Sequence, residues 1–174
     1  MSQEWKLPNT RFHKIMNLFS LLLLLGMFLY TAIKWPSLPQ TIATHFNFMG
    51  EADGWGGKGN IWLMPVMSLL LYLLLTATTY FPGIWNVPGP VTAYNKNWIY
   101  RNVKNLLVFS KFVILLNFSY INYCTIQEKS MGWLSTVCFL GLLFGSMIYF
   151  FIRCKRVPPL NEEPEEFEIG RAHV

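Results

Sequence analysis

Residues 15–33 read IMNLFSLLLLLGMFLYTAI, a run without any charged side chain. Three further apolar blocks follow it, at residues 61–81, 103–123 and 132–152. A helix needs roughly 20 apolar residues to cross about 30 Å of hydrocarbon, and each block approaches that length. Because lipid offers no partners to open backbone groups, each block is predicted to form a transmembrane α-helix. The sequence therefore predicts an all-α integral membrane protein with four transmembrane helices.

The composition agrees with a membrane protein. The chain is 53% hydrophobic and only 13% charged, whereas a soluble domain usually carries about a quarter charged residues. The charges are missing from the long apolar blocks and concentrated between them. The net charge of +5 reflects this placement, so it does not indicate nucleic-acid binding.

The placement of lysine and arginine predicts the orientation of the helices. Cytoplasmic loops of membrane proteins carry an excess of these residues. The richer side contains Lys6, Arg11, Lys14, Lys96, Arg101, Lys104, Arg153, Lys155 and Arg156, and the poorer side contains Lys34, Lys58 and Lys129. Both termini are therefore predicted to be cytoplasmic, and the connection between the first two helices is predicted to be extracytoplasmic.

The chain reads as one membrane domain followed by a tail. Residues 1–156 are expected to form a single four-helix domain, and residues 157–174 a disordered acidic cytoplasmic tail, because the tail lacks apolar periodicity. Proline and glycine in residues 82–90 predict the end of the second helix. Residues 91–102 suit either an interfacial segment or a plain connector.

A polar, glycine-rich loop separates the first two apolar blocks. It reads LPQTIATHFNFMGEADGWGGK at residues 38–58. Alternation from Thr41 to Met49 predicts extended backbone, with His45 and Asn47 on one face about 7 Å apart. The opposite face takes Ile42, Thr44, Phe46 and Phe48.

The chain is expected to reverse direction after this extended stretch. Gly50 permits a turn, and the pair Asp53-Gly54 is a strong turn signal. A reversal there would carry Lys58 back past the face that holds His45. We therefore expect an ordered loop with one polar cluster. The candidate ligand or partner residues are His45, Asn47, Gly50, Asp53, Gly54 and Lys58.

Three interpretations of this loop stay open. It is structural scaffolding if Asp53 caps a turn and Asn47 bonds to backbone. It is a recognition site if these side chains bind an extracellular peptide or a partner membrane protein. A metalloenzyme centred on His45, with Asp53 as a second ligand, is the weakest interpretation, because zinc sites use several histidines or cysteines.

No motif in the sequence points to catalysis or to a cofactor. The chain lacks a Ser-His-Asp spacing, a phosphate-binding loop and a dinucleotide fingerprint. The sequence is therefore interpreted as that of a non-enzymatic protein without cofactor.

Lys111 lies in the middle of the third apolar block, whereas Lys104 lies at its start. A charge near the middle of the bilayer costs on the order of 3 kcal/mol, and no block contains an acidic residue to pair with Lys111. Helical side chains lean toward the N-terminus, so Lys111 is predicted to snorkel toward the cytoplasmic surface. The alternative is an internal polar site with Asn117 or Ser110, and a pathway lined by Lys111 and Asn117 would suit a transporter subunit or small transport protein.

The fourth block contains a small-residue motif. Gly141 and Gly145 are four positions apart, a spacing that allows close approach of two helix backbones. The motif suits either a homodimer or packing against the first or third helix.

The loop pattern resembles a known family. Its Pro39, His45-Phe46-Asn47, Gly50, Asp53-Gly54 and Lys58 resemble the domain of unknown function 1648, over roughly residues 20–80. That domain also forms the N-terminal part of the bacterial immunity protein against the sporulation-delaying-protein toxin, which carries further membrane helices. Here Ala52 stands where the family often has proline. The resemblance implies an immunity-protein-like, multi-pass protein of the bacterial cytoplasmic (inner) membrane, with a ligand-facing outer loop, and it does not imply an enzyme.

Overall fold

The computed structural model describes residues 7–158. Its helices and strands are α1 (Arg11–Lys34), β1 (Thr41–Phe46), β2 (Ala52–Gly57), α2 (Leu63–Thr78), α3 (Lys96–Ile126) and α4 (Trp133–Lys155). Short 3₁₀ helices span Trp35–Ser37, Lys58–Trp62 and Pro82–Ile84. Four helical segments are long and apolar enough to cross a membrane, the second of them made of the 3₁₀ helix Lys58–Trp62 together with α2. The four predicted membrane helices are thus confirmed by length and composition, whereas the loop after α1 adds a β-hairpin to the predicted all-α class. The predicted disordered tail lies, from residue 159 onward, outside the described residues.

α3 is the central helix of the bundle and packs against α1, α2 and α4. At its middle, Leu115 is fully buried and clusters with Leu24 and Met27 of α1. α4 lies at the periphery, and only 6% of its apolar stretch is buried within the described residues. Apolar surface left open on α4 is expected to contact lipid.

A capping box starts α1 and joins it to α3. The Thr10 hydroxyl accepts a hydrogen bond from the His13 backbone N–H, and the Thr10 N–H donates to Nδ1 of His13, so the imidazole takes the place that Glu or Gln has in the usual motif. Because Nδ1 accepts, Nε2 carries the proton and donates to Asn105 Oδ1 on α3 at 2.7 Å. The sequence analysis missed this link between the two helices.

α3 begins earlier than the hydropathy pattern predicts. The segment interpreted as interfacial or connecting is helical from Lys96 onward. Its polar and aromatic side chains pack against the end of α4, where Trp98 Nε1 donates to the carbonyl of Arg153 at 2.7 Å. Such a contact stabilises a helical turn without raising its hydropathy, so the apolar block could not reveal it.

α2 is shorter than its apolar block. The block at residues 61–81 contains a regular α-helix only over Leu63–Thr78, preceded by the 3₁₀ helix Lys58–Trp62. Pro65 lies in the first turn of α2, where its missing N–H needs no helical partner. Together the 3₁₀ helix and α2 form one span of 21 residues.

The snorkelling predicted for Lys111 is wrong. The side chain is 1% exposed, and its Nζ donates to Asn17 Oδ1 on α1 at 2.7 Å and to Thr76 Oγ1 on α2 at 2.8 Å. The Tyr72 ring lies 4.5 Å from Nζ. An ammonium has three donors, and these two oxygens and one aromatic face satisfy it inside the bundle.

The partners of Lys111 also differ from those predicted. Its side-chain hydrogen bonds go to α1 and α2, whereas Asn117 and Ser110 share its own helix. The side chain does lean toward the end of the bundle where α1 begins and α2 ends, as helical side chains on α3 should. The structure therefore does not place Lys111 and Asn117 in a common polar site.

The small-residue motif of α4 faces open space. A Cβ atom added to Gly141 or Gly145 would meet no atom within 4 Å. Both glycines line a groove of about 370 Å³ that also includes Phe12 and Phe109. Tight packing of this motif against α1 or α3 is therefore wrong for the described residues, and the homodimer stays a prediction.

Candidate functional site

The loop after α1 folds into a two-stranded antiparallel hairpin of β1 and β2. Its turn lies at Asn47–Gly50: the Gly50 N–H donates to the Asn47 carbonyl, and the Asn47 N–H donates to the Glu51 carbonyl, both at 2.9 Å. Asn47 Oδ1 also accepts from the Glu51 N–H at 3.0 Å. Asparagine commonly stabilises turns in this way, so the structure gives Asn47 a backbone-bonding role.

The turn predicted at Asp53-Gly54 is wrong, because both residues lie within β2. Gly54 pairs with His45 in the register of the hairpin, and a Cβ atom at Gly54 would lie 3.0 Å from Cβ of His45. Because Gly54 has no side chain, the His45 side chain has room to lie beside β2. The chain reverses direction earlier, at Asn47–Gly50, so the pair Asp53-Gly54 forms part of the strand and not a turn.

His45 and Asp53 are brought together on the hairpin. The Nδ1 atom of His45 lies 2.5 Å from Oδ1 of Asp53. The His45 side chain is 71% exposed and that of Asp53 44% exposed. The pair is therefore held in one geometry while the rest of the imidazole stays accessible to a partner.

Lys58 lies away from this pair, at the base of the hairpin. Its Nζ lies 4.9 Å from the Trp35 ring centroid, and its backbone N–H donates to the Gln40 carbonyl at 2.9 Å. A lysine over an aromatic face is attracted by the ring's negative face. Lys58 therefore joins the end of α1 to the start of α2. The polar cluster expected from His45, Asn47, Asp53 and Lys58 does not form as a whole.

Gly50 fastens the hairpin to the connection between α3 and α4. Its carbonyl accepts from the Met131 N–H and the Ser130 hydroxyl, both at 2.8 Å. Its φ is +79°, and an added Cβ atom would lie 2.4 Å from the Gly132 nitrogen. Glycine is needed for both reasons. The sequence predicts Gly50 as a turn residue, but no pattern in it predicts this contact with residues 130–132.

The β1 strand rests on the bundle, whereas the hairpin tip and β2 are open. Ile42 is 3% exposed and packs with Leu38, Ile61 and Ile126. By contrast, Trp55 on β2 is 64% exposed. Two residues of the turn, Phe48 and Met49, are also exposed. The exposed surface of the hairpin thus combines apolar side chains with the His45–Asp53 pair.

A small cavity of about 60 Å³ lies beneath β1, lined partly by Asn60, Asn122 and Thr125. Asn122 is fully buried, and its Nδ2 donates to Thr31 Oγ1 on α1 at 2.8 Å. Its Oδ1 has no hydrogen-bond partner among the described residues. A buried carbonyl oxygen normally has a donor, and the cavity is large enough to hold a water molecule.

His45 does not belong to a larger set of metal ligands in the described part of the chain. Residues 7–158 contain no group of three or more His, Cys, Asp or Glu side chains placed to hold a metal ion. Asp53 is the acidic neighbour of His45. A pair of ligands falls short of the three or four protein ligands of zinc sites.

The comparisons with known proteins agree with the hairpin pattern. Residues 22–69, which run from α1 through the hairpin into α2, match the family model of a domain of unknown function, DUF1648. An uncharacterized protein of Archaeoglobus fulgidus is 22% identical over 160 residues, a match that covers 83% of this chain and 87% of that protein. No solved structure matches the chain. Residues 22–69 are thus the part of this chain that is similar to the domain of unknown function DUF1648.

Proposed function

We propose that this chain is a non-enzymatic, immunity-protein-like membrane protein that recognises an extracellular peptide or a partner membrane protein through its β-hairpin. The family match covers the hairpin and the adjoining parts of α1 and α2. The suspected relation of this domain to the toxin immunity protein supports a protective role. Neither the family description nor the archaeal relative names an activity.

The observation that carries this proposal is that the hairpin is fastened at one side and exposed at the other. Gly50 and Ile42 are packed or bonded to the bundle, whereas His45 and Trp55 are exposed. A rigid mounting lowers the entropy cost of ordering side chains upon binding. A loop that served as a link alone would not need an exposed pair and an exposed indole held in this way.

The distribution of charge supports an extracytoplasmic hairpin. Within residues 7–158, the acidic residues are Glu51, Asp53 and Glu128, all at the hairpin end. The opposite end carries eight cations, namely Arg11, Lys14, Lys96, Arg101, Lys104, Arg153, Lys155 and Arg156. The positive-inside rule then puts the basic end and both termini in the cytoplasm. We propose the bacterial inner membrane as the location.

α3 connects the hairpin to the cytoplasmic end. The Ile126 side chain packs beneath the hairpin, and the same helix begins at Lys96 beside residues 82–95. A displacement of the hairpin on binding would reach this basic end through one continuous helix. In this mechanism the hairpin makes the contact, and the segment at residues 82–105 relays it.

The test places a photo-crosslinking benzoylphenylalanine in place of Trp55 in cells that produce the protein. A matched control carries it in place of Ile84, which is equally accessible but lies at the opposite end. We expect a peptide or membrane protein to crosslink at the first position and not at the second. The double change His45→Ala/Asp53→Ala should abolish this crosslink and any protection phenotype. If this variant inserts normally and keeps both, the hairpin is scaffolding and the proposal is wrong.

A further inference from the structure

We propose that the outer edge of β2 binds an extended cationic peptide segment as a third strand of the hairpin sheet. This inference rests on the proposed function and specifies the chemistry of the partner. It is carried by the open edge of β2, by the acidic charge of the hairpin and by its exposed apolar side chains.

The β2 strand has a neighbour on one side. It pairs with β1, which in turn packs against the 3₁₀ helix Lys58–Trp62 and α3. No further strand of the described residues pairs with β2. The free side of such a strand presents backbone N–H and C=O groups, and an extended peptide can bind to them by strand addition.

The sequence of β2 leaves this edge unprotected. The strand reads ADGWGG at residues 52–57, so half of its residues have no side chain to cover the backbone. Edge strands are usually protected by lysine, proline or a neighbouring element. β2 contains neither lysine nor proline, and its charged residue is Asp53. The Gly57 carbonyl accepts from Asn60 Nδ2 at 3.0 Å. The rest of the edge remains open, and Asp53 gives it a negative charge.

The hairpin is acidic. Residues 41–57 contain Glu51 and Asp53 and no lysine or arginine. Two lysines of the same end of the molecule, Lys58 and Lys129, lie over the rings of Trp35 and Tyr123, respectively. Among the described residues, no lysine or arginine forms an ion pair with either hairpin carboxylate. Complementary charge steers association and suppresses unsuitable partners.

This charge distinguishes a peptide from a lipid surface. Exposed Phe48, Met49 and Trp55 would suit either partner, because aromatic side chains are also common at the level of lipid headgroups. Anionic headgroups, however, would be repelled by Glu51 and Asp53. A cationic peptide that also contains apolar residues can contact both the carboxylates and the exposed apolar side chains of the hairpin.

The experiment uses the full chain in nanodiscs of zwitterionic lipid. A library of random peptides of about eight residues, a usual strand length, is selected for binding, with depletion on empty nanodiscs. We expect the selected peptides to be enriched in lysine or arginine together with apolar residues. Methylation of alternate backbone nitrogens of a selected peptide should weaken binding about tenfold, because main-chain hydrogen bonds supply the affinity in strand addition.

The charge requirement is tested with matched variants. Glu51→Gln/Asp53→Asn should weaken binding of the selected peptide and reduce its dependence on salt. Glu128→Gln removes an exposed acid from the same end of the molecule but outside the hairpin, and it should leave the affinity unchanged. Equal weakening by both variants would mean a general electrostatic effect and would overturn the proposed site.

The remaining outcomes separate this inference from the proposed function. The selected peptides could instead be neutral or acidic and fail to bind the Trp55→Ala variant. That result would overturn the proposed cationic partner but support recognition by the hairpin. Equal binding of the methylated peptide would overturn strand addition. If no peptide is enriched, the inference is wrong, and the proposed function keeps only its membrane-protein partner. If a second copy of this chain occupied the β2 edge, no peptide would be enriched and the protein would be a dimer in detergent.

Discussion

At the residue scale, Gly50 and Gly54 are needed for different steric reasons. Gly50 has a positive φ and approaches the backbone of Gly132, whereas Gly54 leaves room for the side chain of His45. The side chain of Asn47 is engaged within the turn, because its Oδ1 accepts a hydrogen bond from the Glu51 N–H. Of the six candidate residues, His45 and Asp53 therefore offer the side chains most available to a partner.

Replacement of Gly50 by alanine is expected to loosen the hairpin. The change forces a side chain into a positive-φ conformation, which costs about 1–3 kcal/mol, and it brings Cβ against Gly132. We expect a lower melting temperature in detergent and faster proteolysis at residues 47–52. Gly57→Ala is the matched control, because its Cβ would meet nothing within 4 Å. Equal effects of the two changes would contradict the anchoring role of Gly50.

At the scale of elements, a buried polar site joins three helices. Lys111 on α3 donates to Asn17 on α1 and Thr76 on α2. Polar residues inside a membrane bundle commonly hold helices in one register. Farther along α3, Asn122 donates to Thr31 of α1. Together with the bond between His13 and Asn105, α1 and α3 are therefore joined at three levels.

Asn17→Leu is expected to destabilise the bundle by about 1–2 kcal/mol, because it leaves one donor of the buried Lys111 ammonium without its acceptor. The measurement is reversible unfolding of the protein in mixed micelles. Asn117→Leu is the control: Asn117 is the partner that the sequence suggested, but it does not bond to Lys111. If Asn117→Leu lowers the free energy of unfolding as much as Asn17→Leu, the hydrogen bond between Lys111 and Asn17 is not the stabilising contact.

At the scale of the whole molecule, the two ends of the bundle differ in charge and in structure. The hairpin end contains all the acidic residues of the described chain, and the opposite end contains most of its cations. Trp35 and Trp62 pack together at the hairpin end, and Trp85 packs with Tyr100 at the other. This arrangement suits a protein whose two ends meet headgroup regions of different character.

The predicted orientation is tested by cysteine labelling of intact cells. In a Cys138→Ser background, which removes the exposed native thiol, Asp53→Cys should react with a membrane-impermeant maleimide. Lys155→Cys should react only after the cells are permeabilised, because α4 ends at the basic side. Protection of position 53 in intact cells would reverse the topology and remove the proposed recognition of extracellular partners.

The sequence by itself determined the membrane class, the four apolar helices and the position of the hairpin between α1 and α2. These features depend on composition and on local backbone preferences, which a single chain displays directly. It also identified Gly50 as a turn residue, because glycine adopts a positive φ without steric cost, and it offered backbone bonding as one role of Asn47.

Only the tertiary structure decided which polar groups meet. Lys111 finds Asn17 and Thr76 on other helices, and Gly50 meets residues 130–132, more than 75 positions along the chain. The placement of Lys58 over Trp35 likewise depends on how α1 ends and α2 begins. Periodicity describes one element at a time, whereas these contacts depend on the rotation and approach of several elements. The apolar pattern that faces lipid can be read within one helix, whereas the partner of a buried polar group depends on how several helices pack.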